Sequence, residues 1–222
     1  MAHRGRPCLS WFALVVPAAL SLITSGPALA DTFEVTKTLD TRDGKCDADC
    51  SLREAIIAAN QHPGADIVMV PAGEYVLQRV GQDDQAAVGD LDILADLTLI
   101  GAGAESTLIN GNRIDRVFET HMPAVVRLSG LTIQNGGTGS GGGIYNHTGG
   151  TLTLESCTLS GNSANSASAE GSGGGIYNGG TLTLTNCTLS SDSGYSGGGI
   201  YNDGTATLTS CTLSGNSQAA CG

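Results

Sequence analysis

The hexapeptide Gly-Gly-Gly-Ile-Tyr-Asn occurs three times, at Gly141–Asn146, Gly173–Asn178 and Gly197–Asn202. Each copy leads into a second motif, which reads Thr151-Leu-Thr-Leu-Glu-Ser-Cys157-Thr-Leu-Ser-Gly-Asn162 in its first copy and recurs from Thr181 and from Thr205. The offsets are 32 and 24 residues for the first motif and 30 and 24 for the second. A unit of that length cannot bury its own apolar face, so neighbouring units must stack into a solenoid. Thr-Leu-Thr-Leu alternates with period two, which makes it a strand with Leu on one face and Thr on the other. Short strands, Gly clusters at corners and no useful 3.6-residue apolar period in the repeats predict an all-β solenoid. The specific expectation is a right-handed parallel β-helix, with coils stacked about 4.8 Å apart.

One corner is legible in detail. Strict alternation from an inward Leu154 would send Cys157 outward. If Ser156, Asn186 or Ser210 takes a turn conformation, the parity switches. Leu154, Cys157 and Leu159 then all face the lumen, and Cys157, Cys187 and Cys211 form an interior ladder. Tyr145, Tyr177 and Tyr201 form an outer ladder, with Ile144, Ile176 and Ile200 inside. Regular Leu/Ile positions over residues 97–216 exclude the disorder that a Gly/Ser/Thr-rich chain otherwise suggests. The Ser/Ala/Asn run at Ser163–Ser172 reads as a protruding loop.

Residues 1–30 read as a signal peptide, with Arg4 and Arg6 as the basic start, Trp11–Ile23 as the apolar core and Ala28-Leu29-Ala30 as the cleavage site. The expectation is an exported, extracellular or cell-surface protein with no transmembrane segment after the leader. Beyond residue 30 the chain holds 8 Lys/Arg against 21 Asp/Glu, with no basic residue after Arg127. Nucleic acid is therefore excluded as a partner, because phosphate contacts need a basic surface.

Residues 31–77 read as an N-terminal cap. Ser51-Leu-Arg-Glu54 is a capping box, and Leu52, Ala55, Ile56 and Ala59 form one helical stripe, giving a short capping helix over 51–60. His62-Pro63-Gly64 stops it. Such a helix would cover the open end of the solenoid, where an apolar lumen and a strand edge are otherwise exposed. Residues 78–222 form the coils. The last coil ends at Asn216 with nothing to cover its edge. The expectation is a fragment of a longer protein, or self-association through the open C-terminal edge.

Several stretches resemble the CSLREA-domain family. They are Cys50-Ser-Leu-Arg-Glu-Ala-Ile56, Gly89-Asp-Leu-Asp-Ile93, Leu97-Thr-Leu-Ile-Gly-Ala-Gly103, Asp115-Arg-Val-Phe118 and the Gly-Gly-Gly-Ile-Tyr-Asn repeats. The repeats are also similar to those of polymorphic outer-membrane proteins. The departure is Leu159-Ser-Gly-Asn162, with Leu189-Ser-Ser-Asp192 departing further. The resemblance covers nearly all of the chain after the leader. It implies a secreted bacterial right-handed β-helix and no catalytic residues.

In an exported chain a disulfide between Cys46 and Cys50 is the expectation, with free thiols the alternative. Zinc there lacks a second ligand pair. The loop aspartates Asp40, Asp43, Asp47 and Asp49 do not follow the calcium-loop order and read as solvated. The Cys157, Cys187 and Cys211 ladder reads as core packing, and Cys221 is left over.

Asp83, Asp84, Asp90 and Asp92 are the candidates for carbohydrate or Ca2+ binding, with Arg113, Arg116 and Arg127 the nearest bases. Carboxylates do not visibly recur at matching positions on consecutive coils, so the stretch reads as a solvated acidic loop. His121 and His147 read as loop residues without partners. No catalytic residue, metal or cofactor is assigned. The leading expectation is a non-enzymatic, adhesin-like scaffold that presents its ladders to extracellular carbohydrate or a surface protein. The alternative is a polysaccharide lyase or glycoside hydrolase. An acid–base pair converging on neighbouring coils would favour the enzyme.

Overall fold

The computed structural model describes residues 29–164 and 171–218. Most of the leader, most of the Ser163–Ser172 loop and Cys221 lie outside those residues. Over the described residues the chain is a parallel β-solenoid with one short helix. The first sheet stacks Thr32–Glu34, Asp66–Val70, Leu97–Gly101, Val125–Ser129, Thr151–Glu155, Thr181–Thr185 and Thr205–Thr209. The second stacks Leu91–Ile93, Phe118–Thr120, Ile144–Asn146, Ile176–Asn178 and Ile200–Asn202. The third stacks Gly73–Val76, Thr107–Asn110, Thr132–Gln134, Thr158–Ser160, Thr188–Ser190 and Thr212–Ser214, and a short fourth stacks Ser163–Ala164, Ser193–Gly194 and Ser217–Gln218. The repeats pair in parallel with like residue on like, as in Leu152↔Leu182 and Tyr177↔Tyr201.

The corners explain how alternation survives a bend. Gly130, Ser156, Asn186 and Ser210 all have φ between 53° and 62°, so the predicted left-handed residue sits in one column. It places Leu154, Cys157 and Leu159 together in the interior, each at most 1% exposed. A second left-handed column is Asn135, Gly161, Ser191 and Gly215. The third is the first glycine of each hexapeptide, Gly141, Gly173 and Gly197, at φ 63–70°. The next two glycines answer to crowding. A Cβ on Gly143 would lie 2.5 Å from the carbonyl oxygen of Gly175, and one on Gly174 would lie 2.4 Å from that of Gly198.

Two buried polar ladders run beside the apolar lumen. Thr120, Asn146, Asn178 and Asn202 pass side-chain hydrogen bonds of 2.6–2.7 Å from coil to coil. Asn162, Asp192 and Asn216 form the other, each accepting from a backbone N–H of the preceding coil.

The helix, Leu52–Gln61, starts at Ser51, whose side chain accepts from the Glu54 N–H while the Glu54 carboxylate accepts from the Ser51 N–H. Leu52, Ala55, Ile56 and Ala59 are buried against the first strands of the first and second sheets. Arg53 is 1% exposed. It is paired with Asp40 at 2.6 Å and donates to the carbonyls of Ala86, Gly89 and Asp90. Cys46 and Cys50 form a disulfide. The loop aspartates are used locally: Asp40 by Arg53, Asp49 by Lys37, and Asp43 and Asp47 by backbone N–H groups. Among the described residues no helix is long and apolar enough to cross a membrane.

Candidate functional site

The second sheet carries one outward position on five successive strands. Its register pairs Asp92 with Glu119, Glu119 with Tyr145, Tyr145 with Tyr177, and Tyr177 with Tyr201. The expectation that carboxylates do not meet on consecutive coils is therefore corrected at the first rung. A β-strand triplet fixes the position: in Leu91-Asp-Ile93, Phe118-Glu-Thr120 and Ile144-Tyr-Asn146 the flanking residues are all buried, and the middle one points away from the lumen.

Directly after two of these triplets come His121 and His147. They are not isolated loop residues, and that expectation is corrected too. Their rings stack at 4.8 Å. The Nε2 of His121 lies 3.0 Å from Asp92 Oδ1, and the Nε2 of His147 lies 2.5 Å from Glu119 Oε1. Arg116 completes the cluster. It reaches Glu119 Oε2 at 2.8 Å and lies 3.1 Å from Asp90 Oδ2. Its guanidinium covers the Tyr145 ring at 5.1 Å. The Asp90 approach is close but off-axis, so neither Asp90 Oδ2 nor Arg116 Nε makes an aligned hydrogen bond.

Burial sets the electrostatics. Asp90 is pushed up to about 9, first by burial and then by Asp92, with Arg116 opposing. Burial also raises Asp92, outweighing the Ala86 N–H and His121, and raises Asp115. At Glu119 burial works upward, but Arg116 and His147 outweigh it and the carboxyl is lowered. Neighbouring acids pushed apart in this way are a recurrent feature of functional sites.

The other candidates are placed elsewhere. Asp83 caps its own loop, accepting from the Gln85 and Ala87 N–H groups, and Asp84 is exposed. Asp96 accepts from the Val125 N–H. Arg127 stands on the first sheet. Cys157 and Cys187 are buried free thiols and Cys211 is partly exposed. The Cys187 contact and burial push the Cys157 thiol up, away from the thiolate that reactivity needs. Among the described residues, two groups of side chains have metal-compatible spacing. Glu119, His121 and His147 offer one donor atom each within 4.8 Å of one another, as do Asp90, Asp92 and Glu119.

Comparisons with protein-family models, curated proteins and solved structures found no match. The reading of this face therefore rests on its own residues. The signal that could have found it is the hexapeptide itself. Running the Ile-Tyr-Asn register backwards through Phe118-Glu-Thr120 to Leu91-Asp-Ile93 brings Glu119 and Asp92 onto the Tyr ladder and sets His121 beside His147.

Proposed function

We propose that this protein is exported and binds an extracellular carbohydrate along the outer face of its second sheet. The observation that carries this reading is the continuous column Asp92, Glu119, Tyr145, Tyr177, Tyr201. Tyr145 and Tyr177 stack at 4.5 Å and Tyr177 and Tyr201 at 5.3 Å, with nearly parallel rings. Both faces of Tyr177 are therefore taken up by its neighbours. What the ladder offers a ligand is ring edges and hydroxyls repeated about every 4.8 Å, which suits a hydroxyl-rich polymer better than an apolar partner. The charged cluster at the head of the ladder supplies a polar end point. Export is supported by the leader pattern, by the Cys46–Cys50 bridge and by the resemblance to secreted CSLREA-domain proteins.

The test is retention of the full chain on immobilised neutral and uronate-containing polysaccharides. Wild type should bind at least one of them. Tyr177→Ala should bind about tenfold more weakly, a loss of about 1.4 kcal/mol. A wild type retained by none of the panel, or a Tyr177→Ala variant that binds equally well, rejects the reading.

A second reading is favoured by the Asp92–Glu119 pairing alone: cleavage of the bound glycan. It predicts reducing ends or unsaturated products after prolonged incubation, lost in Glu119→Gln.

A further inference from the structure

Four donor atoms follow one another across the head of the Tyr ladder. Asp92 Oδ1 is 3.0 Å from His121 Nε2, which is 4.0 Å from Glu119 Oε1, which is 2.5 Å from His147 Nε2. Four ligands bonded at about 2.1 Å to a tetrahedral ion lie about 3.4 Å apart. The His121–Glu119 and Glu119–His147 separations bracket that value. Small rotations of the Glu119 and His147 side chains would equalise them. We propose that Glu119, His121 and His147, whose donor atoms lie within 4.8 Å of one another, bind one divalent transition-metal ion of the zinc class, with Asp92 beside His121.

The donor set selects the ion. Two imidazoles with one carboxylate and an open position suit Zn2+ and its transition-metal neighbours, whereas Ca2+ and Mg2+ take oxygen ligands. Coil stacking supplies the preorganisation. Glu119 is paired with Tyr145, and His121 and His147 are the adjacent positions two residues further on. The donors thus stand on or directly after two consecutive strands at a spacing the sheet holds fixed.

A separate observation points to the same place. The Asp90 side chain is 3% exposed, and its Oδ2 makes no hydrogen bond. It belongs with Asp92 and Glu119 in a group whose donor atoms lie within 4.8 Å. A buried acceptor without a hydrogen bond is costly, and a bound cation would satisfy it directly or through a ligated water. Asp90, Asp115 and Glu119 also lie within 4 Å of a single guanidinium, that of Arg116, and a divalent ion would add balancing charge.

The site deepens the carbohydrate reading and rests on it only for its use. His147 is 37% exposed and His121 22%, so one side of the ion faces solvent. Sugar hydroxyls or a uronate carboxylate could take that coordination position, on a surface whose net negative charge otherwise repels acidic glycans.

The experiment uses the tag-free full chain, stripped with chelator. Zn2+ alone is titrated by calorimetry and Co2+ alone by visible absorption. Expected are one ion per chain, a raised melting temperature, and Co2+ bands of a nitrogen–oxygen site without thiolate charge transfer. His121→Ala and His147→Ala should each weaken Zn2+ binding at least about tenfold, while His62→Ala should leave it unchanged. Both rings are partly exposed, so both variants should fold. If circular dichroism shows otherwise, the wild-type Co2+ spectrum decides alone. Absence of Zn2+ binding, a sulfur-ligated Co2+ spectrum, or binding untouched by either substitution overturns the site. Zn2+ binding without polysaccharide retention keeps the metal site and removes the carbohydrate reading. Retention by a chain that binds no Zn2+ does the reverse.

Discussion

Asp192 occupies a rung that both of its neighbours fill with asparagine, and Asp192→Asn should stabilise the protein in a pH-dependent way. In the Asn162 and Asn216 rungs Oδ1 accepts a backbone N–H, and Nδ2 donates to the carbonyl of Ile133 or Leu189. Asp192 reproduces the first bond, accepting from Asn162 N–H at 2.8 Å. Oδ1 also accepts from Asn162 Nδ2 at 3.0 Å, but a carboxylate has no N–H to donate onward. Its Oδ2 is buried without a partner, and by register the carbonyl it should serve is that of Leu159. Burial pushes the carboxyl up to about 6 from the usual 3.8, despite the Asn162 contacts. A raised carboxyl contributes no penalty while both folded and unfolded forms are protonated. The penalty grows as pH rises through 3.8, and it is complete above about 6. The shift of roughly two pKa units corresponds to about 3 kcal/mol of lost stability at neutral pH. Asparagine removes that penalty and adds a hydrogen bond to Leu159. Urea denaturation of wild type and Asp192→Asn should therefore give midpoints that nearly coincide below pH 4. They should separate by about 2–3 kcal/mol at pH 7. Other titrating groups cancel in the difference because they are coils away. An equal difference at both pH values, or a variant less stable at pH 7, would refute the reasoning.

Three further outcomes follow from the same coils. Ser191 sits at φ 56° where its column neighbours are Gly161 and Gly215. Ser191→Gly should raise the urea midpoint by the equivalent of up to about 1 kcal/mol, and a lowered midpoint would show that the serine is holding the corner. Leu189 is fully buried and Leu213 at the equivalent position is 49% exposed. Leu189→Ala should cost about 2–5 kcal/mol and Leu213→Ala under about 1; equal costs would mean the last coil is covered in solution. Arg53→Met leaves the buried Asp40 uncompensated and should cost about 3–5 kcal/mol. Arg53→Lys should rescue little, because one ammonium cannot replace the fork that spans Asp40 and three carbonyls; full rescue by Lys would sink that account.

The parts legible in the sequence are those where each coil repeats the last. The left-handed corners at Ser156, Asn186 and Ser210, the inward Cys157 and the Tyr ladder all follow from period-two alternation broken once per unit, because identical rungs must stack on identical rungs. The capping box was equally legible, since it is satisfied within four residues. Hidden were the interactions made by residues that change type between rungs. Asp92, Glu119 and Tyr145 share a position but no chemistry, and their spacings of 27 and 26 residues do not match the later 32 and 24. Loops of different length between the strands conceal a register that the sheet keeps constant. His121 and His147 were missed for the same reason, each looking solitary until its coil neighbour is placed.

That contrast bears on where a solenoid puts function. A rung that copies its neighbour can share hydrogen bonds and stacking along the column, as Asn146, Asn178 and Asn202 do, so repetition is the stable default. A departure from the repeat loses that sharing and must be compensated locally. Asp192 is a departure compensated only at Oδ1, by Asn162, while Oδ2 is left without a partner, and its cost falls on stability. Asp92 and Glu119 are departures surrounded by Arg116, His121 and His147, which between them neutralise or hydrogen-bond most of the buried oxygens, leaving Asp90 Oδ2 as the exception. Two broken rungs with such different surroundings imply different origins. The first reads as a tolerated substitution, which Asp192→Asn should improve. The second reads as a site, where replacing Asp92 or Glu119 by the repeat's own Tyr would leave His121 or His147 without its carboxylate. The stability experiment and the Zn2+ titration therefore test one proposition from opposite sides: restoring the repeat should help at Asp192 and should abolish binding at Glu119.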